Sequence, residues 1–557
     1  MRDKLNNDII KIFTKVFNVR IMRNSLVSRY YFHVKKIIGR TLMYVDPFNY
    51  TYKIMRNLFL SVIIVFIVFL VLLYYNIYLS YFIFIVPLIV ILLYEINMRR
   101  NVMLRKKGVE KELPLFSMFM ATMGELGVRL SEVFHEIAGR NEFSYIAREA
   151  KKIIRDSVLF HGSILESVDV NVIDHPSKEW ERYMLGITSI IKSGGDLGRY
   201  LEDKMKEYLN KYKQHWFLYS KRVGDWSELL LSMFLLTTAL SLIAAIIFPN
   251  GSLFLIMIMG IVIIPISAII SILLIDSSLP SGKNFLNGNP IWGIGIGILV
   301  FIIMFQFFAL WIVLGSAIVI SSLIISIPTR RQLREIEEEE RWLPSFLLSL
   351  IDARKAGISL DQAIAKLRGF GSRIDHILDD LTSQMNMGIP LNQAILKCRS
   401  KLFKDVLYTI GELNSRGGGT PMVLEKIRDY VIQVQESQSE AKSSLRFYEI
   451  LVLLSPIIFS VMIALTYKLS TMNVAFWDSS SDLFQFMQFN DMSIIIESIK
   501  VIIIEMCASI SLLVSKAKDL TVRSTFLVSI TVALALISFL IIPNIKMPLS
   551  WLLVIFY

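Results

Sequence analysis

Charge-free runs alternate with polar stretches along this chain, and the length of each run is informative. Asn57 to Tyr94 carries no Asp, Glu, Lys or Arg. As one helix it would be about 57 Å long, against a hydrocarbon core of about 30 Å. It therefore predicts two membrane spans that turn near Tyr74–Ser80. Ile291 to Pro328 splits in the same way, with its turn between Gln306 and Ser316. Further spans are predicted at Leu229–Phe248, Leu253–Ile275, Ile450–Tyr467, Ile494–Val514 and Phe526–Ile542. The polar stretches between them repeat apolar residues at three- and four-residue steps, as in Leu343, Phe346, Leu347, Leu350 and Ile351. That period predicts amphipathic helices. The fold class is an all-α polytopic membrane protein with about nine transmembrane helices and two cytoplasmic helical bundles.

Lysine and arginine placement orients the spans, because cytoplasmic loops carry the excess of basic residues. The expected organisation begins with a basic cytoplasmic arm (1–56), a transmembrane hairpin (57–96) and a helical domain (97–226). A transmembrane pair (227–275), a cytoplasmic loop (276–290) and a second hairpin (291–328) follow. A second helical domain (329–447) leads to three C-terminal transmembrane helices (448–557), with an outer loop near 468–493. This puts the N-terminus and Ser281 inside, and Ser479 and the C-terminus outside. The arm is mixed polar and apolar rather than a signal peptide, and reads as amphipathic helices.

Composition narrows the classes. The chain has 557 residues, of which 54% are hydrophobic and 19% charged, and its mean hydropathy is +0.55. The net charge of +12 gathers beside apolar spans, where topology accounts for it without nucleic acid. Cys398 and Cys507 are the two cysteines, and no CxxC or paired-histidine spacing suggests a metal site. No catalytic constellation and no cofactor motif is expected.

The two polar domains repeat each other. "LPLFSMFMATMGELGVRLSEVFHEIAG" (Leu113–Gly139) aligns without gaps on "LPSFLLSLIDARKAGISLDQAIAKLRG" (Leu343–Gly369). "FHGSILESV" (Phe160–Val168) then matches "NMGIPLNQA" (Asn386–Ala394), and "KSGGDLGRYLEDKMKEY" (Lys192–Tyr208) matches "SRGGGTPMVLEKIRDYV" (Ser415–Val431). A period of roughly 225 residues is a duplicated domain, not a solenoid. The glycines Gly194 and Gly195, and Gly417, Gly418 and Gly419, resemble a phosphate loop only superficially. No Lys-Ser or Lys-Thr follows them, and helix precedes them. They predict helix–turn–helix corners, with Asp196 and Thr420 as N-caps and Pro421 as a first helical residue.

A duplicated helical domain flanked by spans and carrying "SGGDLGRYLEDK" resembles the type II secretion system F-domain family. The leading Leu-Pro helix, the Gly-x-x-Leu step and the glycine turn carry this resemblance twice in the same order, over about Asn97–Val514. Nine spans and extra hairpins are more similar to the archaeal members. The resemblance implies a membrane platform, homodimeric, that couples a hexameric secretion ATPase to the insertion of pilin or archaellin subunits into a filament. It implies no chemistry of the platform's own. The rival class is a transporter or channel with duplicated membrane units, but here the repeat signal lies in the polar domains rather than the spans.

Several residues are candidates for contacts. Glu337, Glu338, Glu339 and Glu340 read either as a solvated helix turn or as an exposed acidic face for the ATPase. Arg105, Lys106 and Lys107 offer the opposite sign in the first domain, where the positive-inside rule also explains them. The glycine turns are exposed corners that a partner could touch. Within the spans, Glu505 reads as an interhelical hydrogen bond or as part of a wet groove, and Lys500 as a pilin contact. Pro87, Pro265 and Pro456 are expected kinks, and "GIGIG" (Gly293–Gly297) a close helix approach.

Overall fold

With no water to hydrogen-bond the backbone in a bilayer, apolar runs of this length are satisfied as helix. The computed structural model contains helices and no strand among the residues it describes, which are 25–41, 45–74, 86–139, 143–247, 258–280, 290–417, 419–477 and 492–541. The predicted turn at Tyr74–Ser80, most of the outer loop, Ser281, Ser479 and Gly418 lie outside the described residues, apart from Tyr74 itself. The chain divides into two compact units, Met1–Tyr208 and Leu209–Tyr557.

In the first unit, α1 (Ser25–Gly39) is the amphipathic helix expected in the arm. Its Val34 and Ile38 pack with Tyr50 and Ile54 of α2 (Pro47–Tyr74) and Met98 of α3 (Val86–Glu125). The small cluster docks α1 at the foot of the first hairpin. α3 continues into the first polar domain. There α4 (Leu130–Ala138), α5 (Ile146–Asp156), a π-helical turn (Ser157–His161), α6 (Ile164–Ile173) and α7 (Lys178–Ser193) form a bundle with the start of α8 (Leu197–Ile247). Phe116, Phe119, Phe134, Trp180 and Tyr183 fill its core.

In the second unit, a π-helical turn (Met259–Ile263) leads into α9 (Ile264–Ser278), followed by α10 (Ile291–Met304) and α11 (Leu310–Lys355). α12 (Leu360–Lys366), α13 (Ser372–Asn386), α14 (Lys401–Ser415) and the first part of α15 (Pro421–Trp477) build the second polar domain with the end of α11. α16 (Met492–Asp519) and α17 (Phe526–Ile541) complete the unit. α11, α15, α16 and α17 pack on one another, with α9 against α16 and α10 against α11. Leu343, Phe346, Leu347, Leu350 and Ile351 are all buried, as their period requires. Where the first domain has α6, the second has an irregular stretch after Asn386. The Gln384 side chain pins it by bonding the backbone N–H and carbonyl of Ile395.

Among the described residues, five helices are long and apolar enough to cross a membrane, at Pro47–Phe69, Leu197–Leu240, Leu310–Lys355, Pro421–Ala464 and Glu497–Asp519. α9, α10 and α17 are shorter apolar helices. The remaining expected span falls on the start of α3. The second predicted hairpin turns at Phe305–Ala309, at the early end of the predicted window. Its close approach is real but selective. A Cβ on Gly293 would sit 2.4 Å from Ile325 Cγ1 and one on Gly297 would sit 2.7 Å from Ser321 Cβ, whereas Gly295 faces open space.

Pro265 follows directly on the π-helical turn Met259–Ile263 within one continuous helical run, so the regular α-helical ladder is interrupted beside it. Pro87 lies at the edge of the described residues, which leave its expected kink untested. Pro456 does lie inside α15. The Leu-Pro pairs expected to lead each domain lie inside α3 and α11, the helices that arrive from the membrane. Pro344 cannot bond the Glu340 carbonyl, and Gln435 Nε2 donates to that oxygen instead at 2.6 Å.

Orientation is tested at two exposed sites, Phe307 and Met387. With Cys398 and Cys507 replaced by alanine, F307C should react with an impermeant maleimide on intact cells. M387C should react only after permeabilisation. The opposite pattern at both sites would invert the assigned sidedness.

Candidate functional site

α11 leaves the membrane carrying the acidic run, and helical periodicity turns successive glutamates to different surroundings. Glu337 is exposed, with Lys442 Nζ 3.9 Å away. Glu338 is half-buried and accepts from Arg373 N. Glu339 is fully buried and accepts from Arg399 N at 2.9 Å, Ser400 N at 2.7 Å and Arg373 Nε at 3.1 Å. Glu340 accepts from Ser400 Oγ at 2.9 Å. Burial pushes the Glu340 carboxyl up, and Glu337 and Glu339 add to this while Ser400 and Lys442 oppose it. The exposed acidic face expected here is therefore corrected. Glu339 and Glu340 point into the domain, at the N-terminus of α14, where unpaired backbone donors and the helix dipole favour a carboxylate.

The first domain repeats the device. The gapless alignment pairs Glu110 with Glu340, and Glu110 accepts from Ser177 Oγ at 2.8 Å. Ser177 and Ser400 each cap the next helix, accepting from Trp180 N and Phe403 N. Those aromatic rings lie against Phe116 and Phe346, which the alignment also pairs. Sequence reasoning missed both serines and the role of Glu110. The signal was present as a glutamate three residues before each Leu-Pro, and as the same interval from Ser177 to Gly194 and from Ser400 to Gly417.

Arg105 is likewise not a surface cation. It is buried and makes a bidentate pair with Glu149, Nε to Oε1 at 2.6 Å and Nη2 to Oε2 at 2.7 Å. His175 Nε2 lies 3.4 Å from the same carboxylate. Burial alone would raise Glu149, but His175 and Arg105 outweigh it and hold the carboxyl at about 2. Lys106 is exposed and Lys107 half-buried.

The glycine stretches are corners between helices, as expected. Gly194 and Gly417 take φ of 70° and 71°, closing α7 and ending the turn after α14. Asp196 Oδ1 accepts from Arg199 N at 3.1 Å, and Thr420 Oγ1 from Val423 N at 3.5 Å. Gly195 is exposed, but Gly419 is buried, and a Cβ there would meet Leu360 Cδ1 at 2.2 Å. A second pair of corners is apolar and open. Val158, Leu159 and Phe160 are 77%, 63% and 73% exposed beside Gly162. At the aligned corner of the second domain, beside Gly388, Met387 is 78% and Ile395 74% exposed. Exposed apolar residues in succession on a polar domain mark a contact surface.

Inside the membrane, Lys500 Nζ sits over the Trp311 ring at 4.8 Å. Glu505 makes no interhelical hydrogen bond among the described residues, and its buried Oε2 has no partner. No three His, Cys, Asp or Glu side chains converge as a metal site requires among the described residues.

The family model "Type II secretion system (T2SS), protein F" matches the chain twice, over residues 116–249 and 346–467. Each match begins at one of the paired phenylalanines and runs through a polar domain into the span that follows. The chain carries the F domain of this family twice. The family supports a membrane platform of a type II secretion or type IV pilus-like machine, and its members work with secretion ATPases. No curated protein and no solved structure matches the chain.

Two outcomes follow from these geometries. E339K should destabilise the second F domain by about 3–5 kcal/mol, because Arg373 and two helix N–H groups lose a buried partner. E337K should change stability by less than about 0.5 kcal/mol. Denaturant melts of the two variants in detergent read the difference. Glu149, with its folded carboxyl below the ordinary value of 4.5, contributes stability that is full above that value and is lost as pH falls toward about 2. E149Q should melt lower at neutral pH and lose less on acidification, as followed by Trp180 fluorescence.

Proposed function

We propose that this chain is the membrane platform of an archaeal type IV pilus or archaellum-like machine. It acts as a homodimer that couples a hexameric secretion ATPase to the movement of pilin or archaellin subunits from the bilayer into the filament. The duplicated F domain is the observation that supports this reading. The platform hydrolyses no ATP; the cytoplasmic partner does, and the platform relays its motion. Its N-terminus is cytoplasmic and its C-terminus outside.

The geometry of the second unit suits a relay. α11 and α15 are continuous helices that run between the membrane and the second F domain, about 69 Å and 86 Å long at 1.5 Å per residue. The carboxylate contacts at Glu339 and Glu340 join α11 to α14 inside the domain. Displacement of the domain surface is carried into the spans rather than absorbed in a loop. Lys500 and Glu505 on α16 remain the intramembrane candidates for the pilin.

The ATPase contact is assigned to the two apolar corners, with Glu337 and Lys106 as exposed charges near the domain entrances. Placing Asp at Phe160 and at Met387 should weaken ATPase binding at least tenfold when both are changed, and less for either alone. Both side chains are exposed, so the fold should survive. A titration of the full chain in detergent with the cognate ATPase measures this, with filament counts on cells. Unchanged binding by the double variant would remove the corners from the interface. Absence of binding by the unmodified chain would remove the ATPase-coupled platform itself.

A further inference from the structure

At the polar end of the α11 span, the helix and the first residue of α17 line an open cavity of about 510 Å³. Three guanidinium groups line it, Arg330, Arg331 and Arg334, together with Ile327 and Phe526. Arg330 lies over the Phe526 ring at 3.3 Å and has no ion pair among the described residues, and neither has Arg334. Arg331 is exposed, with Glu335 Oε1 at 3.7 Å. Two carboxylates, Glu335 and Glu338, also line the cavity, but both are engaged from the domain side. Glu335 ion-pairs with Arg399 and lies 3.8 Å from Arg373, and Glu338 accepts from Arg373 N. The charges of Arg330 and Arg334 therefore go without an ion pair among the described residues.

We propose that this cavity binds the phosphate headgroup of an anionic lipid from the cytoplasmic leaflet. Arginine presents a planar fork of donors that matches phosphate oxygens, and Arg330, Arg331 and Arg334, on two adjacent turns of one helix, line one cavity. Basic cavities between membrane helices on the cytoplasmic side suit such headgroups. Ile327, which is 68% exposed, and Phe526 give the cavity the apolar wall that a glycerol and upper acyl chain need and a free phosphate does not. Thr525 Oγ1 donates to Ser322 O at 2.7 Å, so the two walls are held together before any lipid arrives. Occupancy ties α11, where it enters the second F domain, to the bilayer surface. The inference rests on the assigned sidedness and not on the ATPase or the filament.

The full chain in neutral detergent is titrated with short-chain phosphatidylglycerol, short-chain phosphatidylcholine and inorganic phosphate, followed by Tm and by native mass spectrometry of lipid adducts. Phosphatidylglycerol alone should raise Tm and remain bound as a discrete adduct. The triple variant R330Q/R331Q/R334Q should weaken that binding by about fivefold per arginine. K53Q/R56Q, which removes two exposed cations from the first hairpin, should leave it unchanged. Equal response to both lipids, or the same response to phosphate, would overturn the proposal on the unmodified protein, whether or not the triple variant folds. Full binding by a folded triple variant would overturn it too.

Discussion

Glu110 and Glu340 each reach the serine that caps a later helix of their own F domain. The serine hydroxyl donates to the carboxylate and accepts from the first turn of that helix, so the two bonds polarise each other. A helix N-terminus inside a bundle has donors that water cannot reach, and leaving them unpaired would cost about 1–3 kcal/mol each. The serine takes one of these donors, and the glutamate holds that serine from a helix that has just left the membrane. It thereby fixes the rotation of that helix against the domain, and the aromatic contacts Phe116–Trp180 and Phe346–Phe403 follow from the same register.

Rotation and register matter because α11 and α15 have no break between bilayer and domain. Pro344 would be a natural hinge, yet Gln435 takes up the carbonyl it frees. The neighbouring charges are also spent internally, with Glu339 on Arg373 and Glu335 on Arg399. In the first domain Arg105 and Glu149 play a comparable part. The charged collar beneath each span is therefore largely framework, and contact with other molecules falls to residues that the framework leaves exposed.

The helices, the duplication and the corners were legible because each depends on local pattern. Period gave the buried face of Leu343–Ile351, and the glycines announced turns that only positive φ could make. The acidic run was misread because a row of charges says nothing about which side of a helix meets water. Glu337 and Glu339 differ by two residues and hence by more than half a turn. Arg105 was misread for the same reason, since its partner Glu149 is distant in sequence.

A double-mutant cycle on Glu340 and Ser400 tests the central interaction most directly. E340A, S400A and the double variant are melted in denaturant as the full chain, with the cycle on Glu110 and Ser177 in parallel. Both cycles should return a favourable coupling of about 1–3 kcal/mol, as expected for a buried hydrogen bond to a carboxylate. Additive losses in both cycles, with no coupling, would contradict a cap built in the same way in each F domain.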